Sequence, residues 1–360
     1  MGKLLLSILL VAFINLNAHE QPTPGSTEKT NLSQQYNHQL NLFLRKSDDI
    51  KIQLSAFSIL NGQESNFPEI KKLLKNAISP SSDKYTIFLA NRQCHNNIEI
   101  TDWCHQKHIH NIHREIDPEN IITYIFELNE SENKDVTHEI LKEVSNKATY
   151  SDSFFFEYIL QMAKQIETFN INNPKLFKEH TAKDLQYSID DIRTLQLIEK
   201  GIVPGNFKNH FNENTSIIQS TGIEMARVMP YRALTQACKE MTSTKSCNYI
   251  GQLLMQSNTL LDNMIGNAII GLVQKQLGQD ENTLNKTKNT ADKISKQQMC
   301  YAQINNVTYA QMYNKNFMTQ YIIDAKNKGE LEAYRNLAYT VYNTEIKNGF
   351  NPDFDPKDCE

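Results

Sequence analysis

Five histidines lie between positions 95 and 113: His95, His105, His108, His110 and His113. Imidazole nitrogens ligate metal ions and carry protons near neutrality, so this is where chemistry is most concentrated. On a single helix over 102–116, at about 100° per residue, Ile109, Ile112 and Ile116 share a face with His105. His108 and His113 flank that stripe, and His110 points to the polar side with Lys107 and Arg114. The four helical histidines then span roughly 200° of arc and do not all reach one ion. An i, i+3 pair, His105–His108 or His110–His113, needs a third ligand from elsewhere. His95 comes near if Cys94 is joined to Cys104. His95, His105 and His108 are therefore the candidate metal ligands. The competing reading is one core histidine and several surface ones.

Other local signals are weaker. Ser81-x-x-Lys84 matches the start of the penicillin-binding-protein signature, but the companion Lys-Thr-Gly is missing, and helix capping explains Ser81-Ser82-Asp83. No Gly-x-Ser-x-Gly, His-Glu-x-x-His or glycine-rich phosphate loop occurs. Asp190-Asp191 reads as the solvated edge of an amphipathic helix. Trp103 opens the histidine helix as partly buried packing or as a binding aromatic. No cofactor is implied.

The elements that must position these residues begin with an export signal. Lys3 supplies a short positive flank, Leu4–Leu16 an apolar run, and Asn17-Ala18 a cut after a small residue. The run is shorter than the about 20 residues that span a bilayer, and no later segment is long and apolar enough to do so. Export bears on the six cysteines, Cys94, Cys104, Cys238, Cys247, Cys300 and Cys359. An even number in an exported chain reads as disulfides, and many connectivities are open. Proximity favours Cys94–Cys104 and Cys238–Cys247, leaving Cys300–Cys359. No pair has Cys-x-x-Cys spacing.

Composition narrows the fold. The chain has 12 Gly and 10 Pro in 360 residues, about half the usual share, so long regular elements are expected. Net charge is −4 with scattered basic residues, which argues against a nucleic-acid partner. Helical periodicity runs from about residue 34, punctuated by caps at Asp48, Asn66-Phe67-Pro68, Pro80–Asp83, Asp117–Asn120 and Ser151-Asp152. The last of these opens an apolar helix expected over Phe154–Phe169. Gly266 and Gly271, in the apolar run Met264–Val273, are expected to let a neighbouring helix approach closely.

Asp117-Pro118-Glu119-Asn120 followed by Tyr124, with echoes at Tyr85 and Tyr158, resembles degenerate tetratricopeptide-type hairpins over roughly 67–170. The small residues expected in the preceding helix are not there, and the helix after Tyr124 is short. The whole chain is similar to a loose group of exported, all-helical, uncharacterised proteins of Gram-negative bacteria. The carriers are the signal, Cys94 and Cys104 beside the Asp117–Asn120 hairpin, and Cys238 and Cys247 near Ser257–Gly266.

The reading is an all-α protein: a signal peptide over 1–18, a flexible leader over 19–33, a helical-hairpin array over 34–202, a linker loop over 203–216, and a helical bundle over 217–360 with a disulfide-pinned tail. The leading function is a periplasmic or secreted binding or scaffold protein. Its array groove, with Tyr85, Tyr124, Tyr158 and Trp103, would hold a peptide or protein. The alternative is an exported hydrolase, metal-dependent through His95, His105 and His108.

Overall fold

The computed structural model describes residues 27–57, 67–79, 81–96, 98–131, 133–181, 192–205, 211–225, 230–240, 243–279, 314–352 and 354–360, with scattered positions between 289 and 301. The signal segment 1–18 and Asp190-Asp191 lie outside the described residues. The fold is all-α, and no strand occurs among the described residues; one isolated parallel bridge joins Asn120 and Tyr150. No helix among them is long and apolar enough to cross a membrane.

Contacts divide the chain into two units, each discontinuous in sequence. The first holds 27–57, 158–181, 192–205, 211–225 and 314–318. Here α1 (Thr27–Leu44) packs on α2 (Ile50–Ala56) and on α9 (Ile159–Asn172), and α9 packs on α11 (Phe211–Met225). α10 (Ile192–Glu199) ends at Gly201, whose φ of 69° is the left-handed stop a helix C-terminus favours. Tyr36 is wholly buried; its hydroxyl donates to Asn170 Oδ1 (2.6 Å) and Gln219 Oε1 (3.0 Å), and its ring stacks on His180 at 4.1 Å.

The second unit holds the described residues of 67–157 and 230–301, and 319–360. It contains α3 (Phe67–Ala77), α4 (Lys84–Asn96), α5 (Ile98–Gln106), α6 (Ile109–Ile116), α7 (Ile122–Glu130), α8 (Lys134–Lys147), α12 (Tyr231–Glu240), α13 (Thr244–Met255), α14 (Leu260–Gln276), most of α15 (Lys315–Lys328), and α16 (Glu330–Lys347). α4 lies against α3, α5 and α6. α7 packs on α12, and α8 on α13. Solenoid repeats touch only their sequence neighbours. Successive helices also touch, but with these long-range pairings beside them the expected hairpin array is not confirmed.

The three disulfides are Cys94–Cys104, Cys238–Cys247 and Cys300–Cys359, and no cysteine is free.

Four boundaries differ from those the sequence predicts. α1 starts at Thr27, inside the expected leader, because Gly25 is the last helix breaker before Gly62. The expected linker gives way to α11 at Phe211, and contacts draw no domain border there, because α11 packs on α9. The helix expected from Phe154 begins at Ile159. The Phe154 amide instead closes a turn onto Asp152 Oδ1 (2.7 Å), with Phe154 at a φ of 54°. The histidine helix over 102–116 is two helices, broken at Lys107-His108.

Gly266 does permit close approach. A Cβ there would lie 2.5 Å from the Gly251 carbonyl oxygen and 2.8 Å from the Met255 nitrogen. Gly271 faces open space, so its expected packing role does not hold. Replacing Gly266 with alanine must spread α13 from α14 and lowers stability by about 1–3 kcal/mol. Gly271→Ala instead raises it by roughly 0.5–1 kcal/mol through helix propensity. Urea unfolding of the two variants checks the opposite signs.

Candidate functional site

His108 sits at φ 53° and ψ 39°, in the left-handed region, as the residue before α6. Histidine occurs in this region more often than most side chains, but unlike glycine it is strained there, so the chain reverses at His108 at some cost. The His108 amide donates to the His105 carbonyl (3.0 Å), and Cys94–Cys104 ties α5 to α4 one residue before His105. The break swings α6 round, so that the His105 and His110 rings lie 5.9 Å apart.

His105, His108, His110, Asn111, Glu127, Ser131 and Val136 line an open cleft of about 280 Å³. Arg114 sets its charge. Its Nη1 lies 3.0 Å from Glu127 Oε2 and 3.2 Å from Glu143 Oε2, binding α6 to α7 and α8. Arg114 thus offsets part of the acidic charge beside the cleft, whose lining otherwise offers imidazoles, the Asn111 amide, the Ser131 hydroxyl and Val136.

The predicted metal ligands do not converge. His95 is half-buried with its ring 5.5 Å from Phe126, whereas His105 and His108 are exposed at the rim. Among the described residues, no three His, Cys, Asp or Glu side chains come together as a metal-holding group. The helix break causes this, because it removes the i, i+3 geometry that a continuous helix would give His105 and His108.

The predicted binding tyrosines are core residues. Tyr85 lies against Phe88 and Phe154, and Tyr124 donates its hydroxyl to the Pro118 carbonyl (2.9 Å). Tyr158 donates to Asp49. Each buries its ring and satisfies or shields its polar end internally, so none lines a groove. Trp103 is half-buried.

Ser81 and Lys84 do not pair. Ser81 Oγ bonds Ser79 Oγ (2.8 Å), while Asp83 takes the Thr86 amide (3.0 Å) as a cap. Lys84 Nζ instead reaches Asp117 Oδ1 (2.6 Å) and the Tyr150 hydroxyl (2.8 Å). Tyr150 also donates to Asp117 Oδ1 (2.5 Å). Burial and Asp117 push the Tyr150 phenol up to about 12, and its bonds to Asp117 and Tyr150 raise the Lys84 ammonium. A phenol and an amine that both hold their protons more firmly are no nucleophiles at neutral pH. The cluster braces the turn.

His113, which the sequence grouped with the others, is wholly buried. Its Nδ1 is bonded to the Asn91 amide (2.9 Å), while Nε2 has no hydrogen-bond partner. Phe88 and Phe126 flank it. Burial drives its pKa down to about 3; Asp117 opposes this and His110 adds to it.

Comparison with known protein families, curated proteins and solved structures finds no match to this chain.

The folded His113 gains a proton only near pH 3, against about 6.5 in the unfolded chain. Its contribution to stability is thus present above about pH 6.5 and is lost as pH falls through the folded value. Between these limits the loss approaches about 1.4 kcal/mol per pH unit. In His113→Gln that part of the slope is gone. Urea unfolding of both proteins at pH 7, 6 and 5 measures it, and parallel slopes would refute it.

Proposed function

We propose that this chain is an exported helical binding protein, and that the cleft of His105, His108, His110 and Asn111 receives a peptide or protein partner. The observation that carries the reading is the backbone at His108. A left-handed conformation costs a non-glycine residue about 1–2 kcal/mol, and glycine would hold it without strain. The imidazole is kept at that cost at the rim of the cleft. Strain retained at one exposed side chain points to use of that side chain. The surroundings suit a polar extended chain: imidazoles and the Asn111 side-chain amide line the cleft, beside Val136 for an apolar side chain. Three disulfides with no free thiol fit an oxidising compartment such as the periplasm or the extracellular space. The sequence resemblance to exported helical proteins of Gram-negative bacteria supports the same compartment.

The test uses cross-linking and affinity capture of the disulfide-bonded protein from its native compartment, beside His108→Gly and His105→Ala. His108→Gly is expected to unfold at higher urea, gaining about 1 kcal/mol, yet to recover at least tenfold less partner. Retention of the same partner by both variants would place binding elsewhere. Stoichiometric transition metal in the purified protein would overturn the reading in favour of a metal-dependent activity.

A further inference from the structure

Two acidic side chains meet the first turn of α14. Thr259 caps it, accepting the Asp262 amide on Oγ1 (3.2 Å). The Leu260 amide, one of the donors a helix leaves open, goes to Glu330 Oε2 (2.9 Å). Glu330 arrives there because Gly329, at φ 91°, turns α15 into α16 while the Glu330 amide bonds the Asn258 carbonyl (2.8 Å). Asp262 is 1% exposed. Its Oδ1 accepts from the Tyr231 hydroxyl of α12, and its Oδ2 from Ser257 Oγ (2.5 Å) and Ser151 Oγ (3.3 Å). Glu330 is half-buried with its carboxyl turned inward, where Oε1 accepts from the Tyr321 hydroxyl (3.2 Å) and Tyr321 in turn bonds Tyr334.

The side-chain partners of both carboxyls are hydroxyls. An ammonium or guanidinium only donates, but a hydroxyl donates or accepts. If either carboxyl takes a proton, Ser257, Ser151 or Tyr321 can rotate to accept it, and no buried group is orphaned. The titratable groups facing this turn are Tyr231, Tyr321, Tyr334 and Asp152, besides the two carboxyls themselves. Nearby lysines are engaged elsewhere: Lys326 with Glu157 (2.8 Å) and Lys328 with Asp324 (2.9 Å).

We infer that Asp262 and Glu330 form an acid-tightened latch, which holds α12, the 151–152 segment and the α15–α16 hairpin to the first turn of α14. When both are ionised, two like charges share a desolvated turn. When one takes a proton from solvent, the repulsion ends and the hydrogen bonds persist. Burial raises Asp262, Glu330 and Asp152 above the usual carboxylate range. The folded latch keeps its proton at pH values where the unfolded chain has released it. Its stabilisation is therefore present below the unfolded value and is lost as pH rises through the folded one. This sign is opposite to that of His113.

The test reads the latch locally. Amide hydrogen-exchange protection is measured at Leu260 and its neighbours in the full disulfide-bonded protein at steps from pH 4.5 to 7.5, in wild type, Asp262→Asn and Glu330→Gln. Wild-type protection is expected to rise on acidification, by up to about tenfold per pH unit for each group releasing its proton. Glu330→Gln is expected to keep only the smaller dependence that Asp262 contributes, and Asp262→Asn only that of Glu330. Wild-type protection that does not change with pH, or a Glu330→Gln protein that keeps the full dependence, overturns the latch. Should a variant fail to fold, carbon-13 titration of the wild-type carboxyls decides the matter. Resonances of Asp262 and Glu330 moving above the usual carboxylate range support it, and ordinary titration refutes it.

Discussion

A buried carboxylate must be met by donors on every side, and Asp117 imposes that demand on much of the second unit. It is wholly buried at the junction of α6 and α7. Lys84 reaches it from the start of α4, Tyr150 from the segment after α8, and Asn120 from its own turn at 3.1 Å. Asn120 also donates to the Asp152 carbonyl (2.9 Å) and accepts the amides of Asp152 (3.1 Å) and Ile122 (3.2 Å). The Ile121 amide adds a bond to the Tyr150 carbonyl (3.0 Å). One buried charge therefore fixes where α4 begins, how α6 turns into α7, and where the chain leaving α8 runs. Removal of a single partner would leave the rest desolvated and unmatched, which is why such a group specifies geometry more than it adds stability.

The disulfides act on a different scale. Cys94–Cys104 and Cys238–Cys247 close loops of sequence separation 10 and 9, and Cys300–Cys359 closes one of 59. Loop-closure entropy assigns about 3 kcal/mol to each short loop and about 4 to the long one. The short bridges set local angles. Cys94–Cys104 holds α5 so that the reversal at His108 has a fixed base, and the cleft inherits its shape from that pairing. The long bridge fastens the tail, where Arg335 and Tyr339 also meet Glu360 (2.8 and 2.9 Å).

Much of this was legible in the sequence, and the failures share a cause. Helix class followed from the scarcity of Gly and Pro, and all three cysteine pairs from spacing. The Asp117–Asn120 turn was legible as a cap, but Lys84 and Tyr150, which complete it, lie 33 residues away on either side. The break at Lys107-His108 carries no Gly or Pro, so periodicity ran straight through it and misplaced the candidate metal ligands. Division into units was illegible for a similar reason. Nothing in the composition of 203–216 reveals that α11 returns to α9, or that α7 and α8 pack on helices about 100 residues later.

The tyrosines show what pattern reading missed in physical terms. The chain has 15 Tyr and one Trp. Aromatics near helix starts suggested a groove for a ligand, yet the hydroxyls find their partners inside. Tyr124 and Tyr249 donate to carbonyls, Tyr36 to side-chain amides, and Tyr150, Tyr158, Tyr231 and Tyr321 to carboxylates. A phenol buries a large ring and still delivers one hydrogen bond at its far end. In a helical protein whose backbone groups are mostly satisfied within the helices, that reach is what links one helix to the polar end of another. The tyrosines accordingly mark where helices are joined, whereas His105 and His108 stand exposed at the rim of the cleft.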